Sequence, residues 1–399
     1  MGKRIIVLGG GTYQPIRNHL SLCATAFGNT AKTMSEKLNG ELVLTKMADP
    51  TSKLVTNEDV SDYIDELLED KNVGTIVLSV AFCDYKSLPI DNIQPGFHSQ
   101  RLKTDNGNIT IELEPTEKII GKIRRKRPDI FLVGFKTTTD ENENDQFHIA
   151  LKMMKKTKCN LVLANDTVTR NNMIITPEES IYGNTTDREN IINELSQIIL
   201  MRNDLTYNYS NFINRKSYSV IETPINFQKV LKYVIDNGGY IENNGNGFTP
   251  GHFCFKLDNK SFLSSQRKAN HNLVFEEGMS VVNVEDDIFN VIGERKASVG
   301  ARSQYLCLIE NKDMDSIIHT HNPLKKGSQV PITQQKPFQC GSLECGLNTV
   351  NHMKEFCDGR IKAVYLEKHG INLMFNSGNN PQEVIDFINS NIILGEKVK

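Results

Sequence analysis

The sequence predicts two consecutive α/β domains, the first doubly wound around a mostly parallel sheet and the second built on a largely antiparallel sheet. Three observations support this prediction. The chain has 399 residues, which exceeds what one hydrophobic core usually organises. Its first half alternates apolar runs with amphipathic stretches of helical length, a pattern typical of parallel strands covered on both faces. Its second half mixes helix patterns with a series of short strand patterns.

The elements of the first half follow one another as strand, helix, strand. The strand patterns are RIIVLGG, ELVLTKM, GTIVLSVAF, IFLVGFKT and CNLVLAND, and the helix patterns are NTAKTMSEKLNG, DVSDYIDELLED, PTEKIIGKIRRKRPD and QFHIALKMMKKTK. A last helix pattern, TDRENIINELSQIILMRND, opens with an Asp/Thr capping signal and closes the domain. We therefore predict a first domain over residues 1–205.

The second half begins after a polar, aromatic and aperiodic stretch, LTYNYSNFINRKS, within which we place a linker at residues 206–216. The predicted second domain covers residues 217–399. It opens with the helix pattern INFQKVLKYVIDNGG, continues through the short strands HFCFKL, SFLSS, SVVNV and IFNVIG, and ends with the helix pattern NPQEVIDFINSNIILGEK. This mixture predicts a separate α/β domain with a largely antiparallel sheet.

Composition limits the classes of partner. The 46 basic and 48 acidic residues nearly cancel, so there is no general electrostatic attraction to nucleic acid or to an anionic membrane. No segment reaches the roughly 18 apolar residues of a membrane span, and the N-terminus lacks a cleavage site. The eight cysteines are scattered without a CxxC pair, which is typical of reduced thiols in the cytoplasm. We expect a cytoplasmic protein that acts on a small-molecule substrate.

A glycine turn follows the first predicted strand, in VLGGGTYQPI. Backbone amides at such a turn can approach a phosphate closely, because glycine has no Cβ. The spacing does not match GxGxxG, so the turn is not a dinucleotide fingerprint. Two interpretations stay open at this point, a phosphate-binding loop and a plain tight turn.

Several motifs in the first half together resemble phosphopantothenoylcysteine synthetase. They are GGTYQPI, VLSVAFCDY, RLKTDNGNITIELEPTEKI, IFLVGFKTTT and NLVLANDT, in the family's order. The resemblance implies a Rossmann-like fold that uses CTP or ATP, with Mg²⁺, to activate a carboxylate. It also implies a set of nucleotide contacts. Gly10, Gly11 and Thr12 would face the phosphates, and Asp84 would face the nucleotide or its metal. Phe135 would pack near the base, Asn165 would line the pocket, and Lys103 would neutralise the triphosphate as a catalytic residue. The family's Asn-Arg-Ser-Ser-Gly stretch is replaced by ATAFG at residues 24–28.

The second half contains a histidine pair in SIIHTHNPL. Side chains alternate along a strand, so His319 and His321 point to the same side and can share one ion. The alternative is a structural role without a metal, in which these histidines cap loops or form hydrogen bonds in the core. The stretch resembles the metal-binding strand end of class II (zinc-dependent) aldolases and their adducin-like relatives. That resemblance implies Zn²⁺ or another divalent metal, with His369 of His369-Gly370 as the third ligand.

The same resemblance exposes two departures. Gly300 stands where the aldolases have their proton-carrying glutamate, so Gln304 and Glu344 become the candidate catalytic residues in its neighbourhood. The family's phosphate-binding turns are also altered, with His252 in place of an asparagine. The remaining candidates for binding an anionic substrate group are Ser264, Ser265, Arg267, Lys268 and Ser298; a solvated basic loop is the alternative.

These observations favour a two-domain enzyme, with a ligase-like nucleotide-binding half and a metal-dependent lyase-like half that acts on a small phosphorylated or acyl substrate. The alternative is a catalytically degenerate binding or structural protein that retains both folds, since one family motif is altered in each half. A third hypothesis is that the metal site catalyses a different reaction, such as dehydration, epimerisation or decarboxylation. Both families form oligomers, so the resemblance implies a homo-oligomer.

Overall fold

The structure is a computed structural model that describes residues 3–207, 210–242 and 247–398. These residues form two compact units. The N-terminal unit contains residues 3–177 and 183–203, and the C-terminal unit contains residues 178–182 together with the described residues from 204 onward. Within the described ranges, every helix is too short or too polar to span a bilayer.

The N-terminal unit is built on a seven-stranded sheet with the order β11-β10-β9-β8-β5-β1-β4. The seven strands of this sheet are β1 (Arg4–Gly11), β4 (Glu41–Leu44), β5 (Val73–Ala81), β8 (Phe131–Thr138), β9 (Leu161–Asp166), β10 (Asn172–Ile175) and β11 (Ile181–Thr185). Two separate pairs are formed by β2 (Tyr13–Arg17) with β3 (Leu20–Cys23) and by β6 (Tyr85–Ser87) with β7 (Leu113–Pro115). Strands β4, β1, β5, β8 and β9 run parallel, and β10 is antiparallel to β9. The doubly wound, mostly parallel sheet is therefore confirmed.

Five helices connect these strands, namely α1 (Asn29–Leu38), α2 (Asn57–Glu69), α3 (Ile120–Lys126), α4 (Glu143–Thr157) and α5 (Arg188–Arg202). Local sequence explains where three of them begin. Thr56 forms a capping box with Asp59 at α2, and the side chains of Asn142 and Asp187 accept backbone N–H groups at α4 and α5.

The connections between strands create a switch point. The chain leaves β1 for β4 on one side and then crosses to β5 on the other, so the strand order reverses between β1 and β5. Gly10 and Gly11, at the carboxyl end of β1, pair with Val80 and Ala81 at the carboxyl end of β5. In open α/β sheets, ligands bind outside the carboxyl ends of the strands at such a point. The glycine turn therefore lies where a ligand of this fold would be expected.

The C-terminal unit is built on a ten-stranded sheet with the order β12-β16-β15-β14-β13-β17-β21-β20-β18, in which β19 also pairs with β20. Among the described residues, its strand pairs are antiparallel except β12 with β16 and β18 with β20, so the largely antiparallel sheet is confirmed. The strands are β12 (Ser210–Asn214), β13 (His252–Lys256), β14 (Ser261–Ser264), β15 (Ser280–Glu285), β16 (Ile288–Gly293), β17 (Ser316–Thr320), β18 (Ile332–Thr333), β19 (Lys354–Phe356), β20 (Ile361–Leu366) and β21 (Gly370–Phe375).

Helices cover both faces of this sheet. They are α6 (Ile225–Asp236), α7 (Val274–Glu277), α8 (Ala301–Glu310), α9 (Leu343–His352) and α10 (Pro381–Asn391). One buried cluster joins α6 and α10 to the face that carries Phe253 and Ile318, and a second joins α8 to the face that carries Cys254 and Ile317. Because neighbouring strand residues point to opposite faces, this assigns each residue of β13 and β17 to one side.

The stretch that we expected to be a linker, residues 206–216, contains strand β12. Ser210–Asn214 pairs in parallel with β16, and Phe212 lies beside Val291 and packs against the second cluster. Adding an edge strand buries one side of Phe212 and pairs its backbone groups. Tertiary pairing therefore converts a stretch without periodicity into part of the sheet.

Candidate metal centre

The histidine pair lies at the end of β17, which is flanked by β13 and β21. His319 is opposite His252 on β13 and opposite Asn372 on β21. It shares the side of β17 that carries Ile317, which packs against α8. Strand alternation thus directs the His319 ring into the space between the sheet and α8.

The structure brings His319, His321 and His369 together. One ring nitrogen from each lies within 4.8 Å of the other two. Ring centroids are 5.0 Å apart for His319 and His321, 4.6 Å for His319 and His369, and 4.7 Å for His321 and His369. Three imidazoles converging on one point match the ligand number of a zinc site that keeps a coordination position open.

Gly370 makes this convergence sterically feasible. A Cβ atom at this position would lie 2.0 Å from the carbonyl oxygen of Thr320, and its φ angle of 141° is one that side chains disfavour. Only glycine lets β21 start this close to the end of β17, which brings His369 beside the histidine pair.

The environment of His319 prepares its ring to bind a cation. Burial lowers its pKa to about 4, so the imidazole is neutral near pH 7. Its Nδ1 atom lies 2.8 Å from the carbonyl oxygen of Ile371 and donates to it, which leaves the lone pair on Nε2. Nε2 is buried and has no hydrogen-bond partner among the described residues. The three histidines therefore fit a divalent metal, which would polarise a carbonyl or activate a water when bound.

A small cavity of about 10 Å³, room for roughly one water molecule, adjoins His319 and His369. Its described lining residues are His252, Ser303, Gln304, Cys307, His319, Cys340, Cys345, Thr349, Leu366, His369 and Asn372. Carboxylates, ammonium groups and guanidinium groups are absent from this lining. A ligand in the cavity would therefore meet neutral polar groups and thiols beside the metal position.

His252 occupies the space that a side chain at residue 300 would need. A Cβ atom on Gly300 would lie 2.1 Å from Cε1 and 2.5 Å from Nε2 of His252. The His252 ring also lies against His319, with centroids 4.5 Å apart, and its Nε2 has no hydrogen-bond partner among the described residues. Burial lowers the pKa of His252 well below its usual value, so the ring is neutral. The His252 ring therefore occupies the space that any side chain at residue 300 would need.

The two catalytic candidates near Gly300 are placed differently. Gln304 is 1% exposed and lines the cavity. Glu344 is in the first turn of α9, where its carboxylate accepts the backbone N–H of Thr206, and it is not among the lining residues. The catalytic role of Glu344 stays a prediction, and in this structure its carboxylate is engaged by the Thr206 amide.

The five candidates for an anion site do not form one surface. Ser264 and Ser265 are fully buried, where the Ser264 hydroxyl donates to the Ser265 carbonyl and the Ser265 hydroxyl accepts from the Phe253 amide. Their role as anion donors stays a prediction, and both hydroxyls already form hydrogen bonds inside the fold. Arg267 and Lys268 are on the exposed side of the loop that follows, and the Ser298 hydroxyl accepts the Gly300 N–H.

In the N-terminal unit, the glycine turn is packed against its own chain. A Cβ atom would lie 2.2 Å from Thr45 Oγ1 at Gly10 and 1.9 Å from the Ala24 carbonyl oxygen at Gly11. Thr12 is fully buried, and its hydroxyl donates to Asn57 Oδ1 at 2.6 Å and accepts from the Cys83 amide at 2.9 Å. The Thr12 hydroxyl therefore stabilises the turn through these two hydrogen bonds. The resemblance implied a contact with phosphate for the same residue.

The other nucleotide candidates lie at or after the carboxyl ends of β5, β8 and β9. Asp84 follows β5, is exposed and forms an ion pair with Lys118. Phe135 and Asn165 are half-buried on β8 and β9. Lys103 is exposed in the loop between β6 and β7. The sheet therefore places Asp84, Phe135 and Asn165 near the edge that carries the glycine turn.

Sequence reasoning did not identify His252, Asn372, Cys340 and Cys345 as parts of the cavity. For His252 a signal exists in the sequence, since it begins the apolar strand pattern HFCFKL and would be paired with a neighbouring strand. For the other three, no motif marks them, and only the packing of α9 and β21 brings them to the cavity.

We expect the stability of the C-terminal unit to fall as the pH drops from 6.5 toward 4. Burial lowers the pKa of His271 and of His319 to about 4 each, so the unfolded chain binds more protons than the folded chain in this interval. The contribution of the two neutral histidines to the free energy of unfolding is fully present above pH 6.5. Below that pH, each histidine lowers the free energy of unfolding by about 1.4 kcal/mol per pH unit. Urea unfolding of the metal-free full-length protein at pH 7 and pH 5 measures it. A His271→Asn variant should lose less; equal unfolding midpoints at both pH values would contradict the expectation.

Comparisons with known proteins agree with the two-part architecture. A family model described as the DNA/pantothenate metabolism flavoprotein C-terminal domain matches residues 25–196. The N-terminal unit resembles phosphopantothenoylcysteine synthetase. A curated relative, the coenzyme A biosynthesis bifunctional protein CoaBC of Thermococcus kodakarensis, is 28% identical over 175 residues, which is 41% of each chain. This chain therefore spans about two fifths of the length of that relative.

Two solved structures are similar to this chain. The DNA/pantothenate metabolism flavoprotein from Streptococcus pneumoniae is 21% identical with a TM-score of 0.42, and the match covers 50% of this chain and 97% of that one. The L-fuculose-1-phosphate aldolase from Thermus thermophilus is 16% identical with a TM-score of 0.28, and the match covers 42% of this chain and 86% of that one. The C-terminal unit resembles the class II aldolases in fold.

Proposed function

We propose that this protein is a two-domain metabolic enzyme, in which the C-terminal unit is a lyase-type centre that depends on a divalent metal and the N-terminal unit binds CTP or ATP. The observation that carries the proposal is the cluster of His319, His321 and His369, whose ring nitrogens lie within 4.8 Å of one another beside a cavity. Zn²⁺ is the metal we propose, because it suits three imidazole ligands with an open position.

The metal chemistry follows from the charge of the site. Neutral ligands leave the charge of the ion uncompensated, so it would act on a carbonyl or on water more strongly than an ion held by carboxylates. The described cavity lining carries no carboxylate, so a proton would have to move through another group or through the substrate. We therefore propose a lyase, dehydratase or epimerase reaction on a small phosphorylated or acyl substrate rather than aldol cleavage by the family's glutamate mechanism.

The proposed nucleotide site lies at the switch point of the N-terminal sheet. The backbone of the glycine turn, Asp84, Phe135 and Asn165 are near the carboxyl edge of that sheet, where such folds bind ligands. The Thermococcus relative is named for coenzyme A biosynthesis. By that likeness we propose CTP or ATP with Mg²⁺, and a carboxylate as the group that is activated, although ATAFG at residues 24–28 departs from the family.

A specific observation favours the alternative, a binding protein without catalysis. The His252 ring occupies the space that a side chain at residue 300 would need. The position at which the aldolases have their proton-carrying glutamate therefore has no room for that side chain. The two functions differ in one measurement on the full-length protein. A turnover that is lost in a His319→Ala variant supports the enzyme, whereas tight binding of metal and nucleotide with no turnover of any hydroxy-carbonyl substrate supports the binding protein.

We expect the full-length protein to bind CTP or ATP in the presence of Mg²⁺, measured by calorimetry. Changing Lys103 to alanine should weaken binding by about 10- to 100-fold, because a charge-assisted contact to phosphate is worth about 1.5–3 kcal/mol. Lys71→Ala is the matched control, since Lys71 is exposed and precedes the opposite, amino end of β5. Absence of heat with both nucleotides, or an equal loss in the two variants, would count against the proposed nucleotide site.

A further inference from the structure

Arg188 is a half-buried arginine without an acidic partner. It is the first residue of α5, in the N-terminal unit. Burial lowers the pKa of its guanidinium, yet the group stays charged, because arginine does not lose its proton in proteins. Within the described ranges, no carboxylate forms an ion pair with it. Removing a cation from water without a counter-charge costs free energy, so the position points to an anionic ligand.

Two neutral side chains hold the guanidinium of Arg188 in place. Its Nη1 donates to Asn172 Oδ1 at 2.7 Å, and its Nη2 donates to Thr30 Oγ1 at 3.1 Å. The Asn172 amide is itself fixed, since its Nδ2 donates to the backbone carbonyl oxygens of Arg170 and Thr185. A guanidinium has five N–H donors. Two of them orient the group, and the others remain for a ligand.

The acid next to Arg188 in the sequence serves the helix. The carboxylate of Asp187 accepts the backbone N–H groups of Glu189 and Asn190, each at 3.0 Å. This is the usual arrangement of a helix cap, and it stabilises the start of α5. An anion that approaches Arg188 would therefore not have to break an ion pair.

The contacts of this guanidinium place it at the carboxyl edge of the sheet. Asn172 is opposite Asn165, near the carboxyl end of β9. Thr30 is in the first turn of α1, which packs against β1; a Cβ atom on Gly9 would lie 2.3 Å from the Cβ of Ala31. In the sheet, β8 and β5 lie between β9 and β1. The guanidinium thus lies between the glycine turn and Asn165, along the edge at which such folds bind ligands.

We propose that Arg188 binds a phosphate group of the nucleotide at the switch point of the N-terminal sheet. This inference rests on the proposed nucleotide site. Phosphate presents several negatively charged acceptor oxygens, and a planar guanidinium can donate to two of them at once. The stretch ATAFG at residues 24–28, which precedes α1, contains no cation, so Arg188 supplies positive charge beside the start of that helix. The contact is with phosphate and not with the base, so it serves CTP and ATP equally.

Calorimetry on the full-length protein tests the proposal with CTP, ATP and inorganic tripolyphosphate, each with Mg²⁺. In the Arg188→Met variant we expect all three to bind about tenfold more weakly or worse, because a charge-assisted contact is lost. Arg125→Met is the matched control. Arg125 is exposed on α3, which leads into the amino end of β8, so its loss should leave the three affinities unchanged.

Salt dependence separates a direct contact from a structural effect. Added KCl should weaken tripolyphosphate binding less steeply in Arg188→Met than in the unaltered protein, because one cation that faces phosphate is gone. An equal salt dependence, or affinities equal to those of Arg125→Met, overturns the inference.

Two further results complete the test. If Arg188→Met does not fold, Arg188→Lys replaces it; lysine keeps the charge but not the planar set of donors, so weaker binding of all three ligands is expected, and unchanged affinity overturns the inference. Binding of tripolyphosphate without either nucleotide would support the phosphate contact and overturn the proposed nucleotide site. If the unaltered protein binds none of the three, both fail, which differs from failure of the Arg188 variants alone.

Discussion

Replacing His369 by alanine lowers the affinity of the protein for Zn²⁺ by at least about 100-fold, since loss of even the groups that orient metal ligands costs roughly 10–100-fold. The structure places the ring of His369 within 5 Å of the other two imidazoles, with centroids 4.6 Å from His319 and 4.7 Å from His321. Removing it leaves two ligands, which is fewer than a protein zinc site that works on a substrate normally has.

Competition with a coloured chelator on the full-length protein measures this change. The matched control is His352→Ala, because His352 belongs to α9, its Nδ1 contacts the Asn348 carbonyl oxygen, and it is outside the metal cluster. Saturating Zn²⁺ should also raise the unfolding free energy of the unaltered protein by about 2.7 kcal/mol at 100 times the dissociation constant. His369→Ala should lose this increment, and His352→Ala should keep it. Zn²⁺ affinity that is equal in all three proteins would rule out the three-histidine centre.

Changing Gly300 to alanine destabilises the C-terminal unit by about 1–3 kcal/mol, the usual cost of forcing extra atoms into a packed site. The new Cβ would lie 2.1 Å from Cε1, 2.5 Å from Nε2 and 2.6 Å from Nδ1 of His252, so the whole ring has to move. Because His252 is opposite His319 on the neighbouring strand, the ring cannot move without disturbing the metal centre.

A double-mutant cycle isolates this contact. In a His252→Ala background the ring is gone, so Gly300→Ala should cost less than half of what it costs in the unaltered protein. Urea unfolding of the four proteins supplies the numbers. Additive effects of the two changes would show that the His252 ring is not what excludes a side chain at residue 300.

Substitutions at His252 and Gly300 can also distinguish two evolutionary origins of the site. Gly300→Glu combined with His252→Asn introduces the two residues that the resemblance to class II aldolases implies at these positions and removes the ring that excludes a side chain at residue 300. A gain of aldol cleavage in that variant would mean that the site is a decayed aldolase. Loss of a native activity would instead mean that His252 and Gly300 belong to a repurposed centre.

The fold class could be predicted from periodicity because burial on both faces leaves continuous apolar strands, such as IIVLGG and TIVLSV, while helix patterns lie between them. Short elements and edge strands were harder to predict from the sequence. β12 was interpreted as part of a linker, since an edge strand such as Ser210–Asn214 buries only one side and carries no clear pattern. Helix α3 begins at Ile120, later than its pattern suggested, because Leu113–Pro115 pairs as β7.

The candidate metal ligands were accessible from the sequence for a related reason. Strand alternation alone places His319 and His321 on one side, and the glycine after His369 marks a close approach of two backbones. The roles of single side chains could not be predicted from strand alternation or spacing. Thr12, Ser264 and Ser265 match positions that the resemblances assign to ligands, yet their hydroxyls form hydrogen bonds inside the fold.

By itself, the sequence determined the two α/β architectures and the histidines available to a metal, because both follow from local periodicity and spacing. Only the tertiary structure decided what surrounds them. His252 and Gly300 are 48 positions apart in the chain and meet because β13 pairs with β17 beside α8. Gln304 is buried without a hydrogen-bond partner among the residues that the structure describes. Complementary filling of space and unsatisfied hydrogen bonding are properties of the folded chain, so no local pattern encodes them.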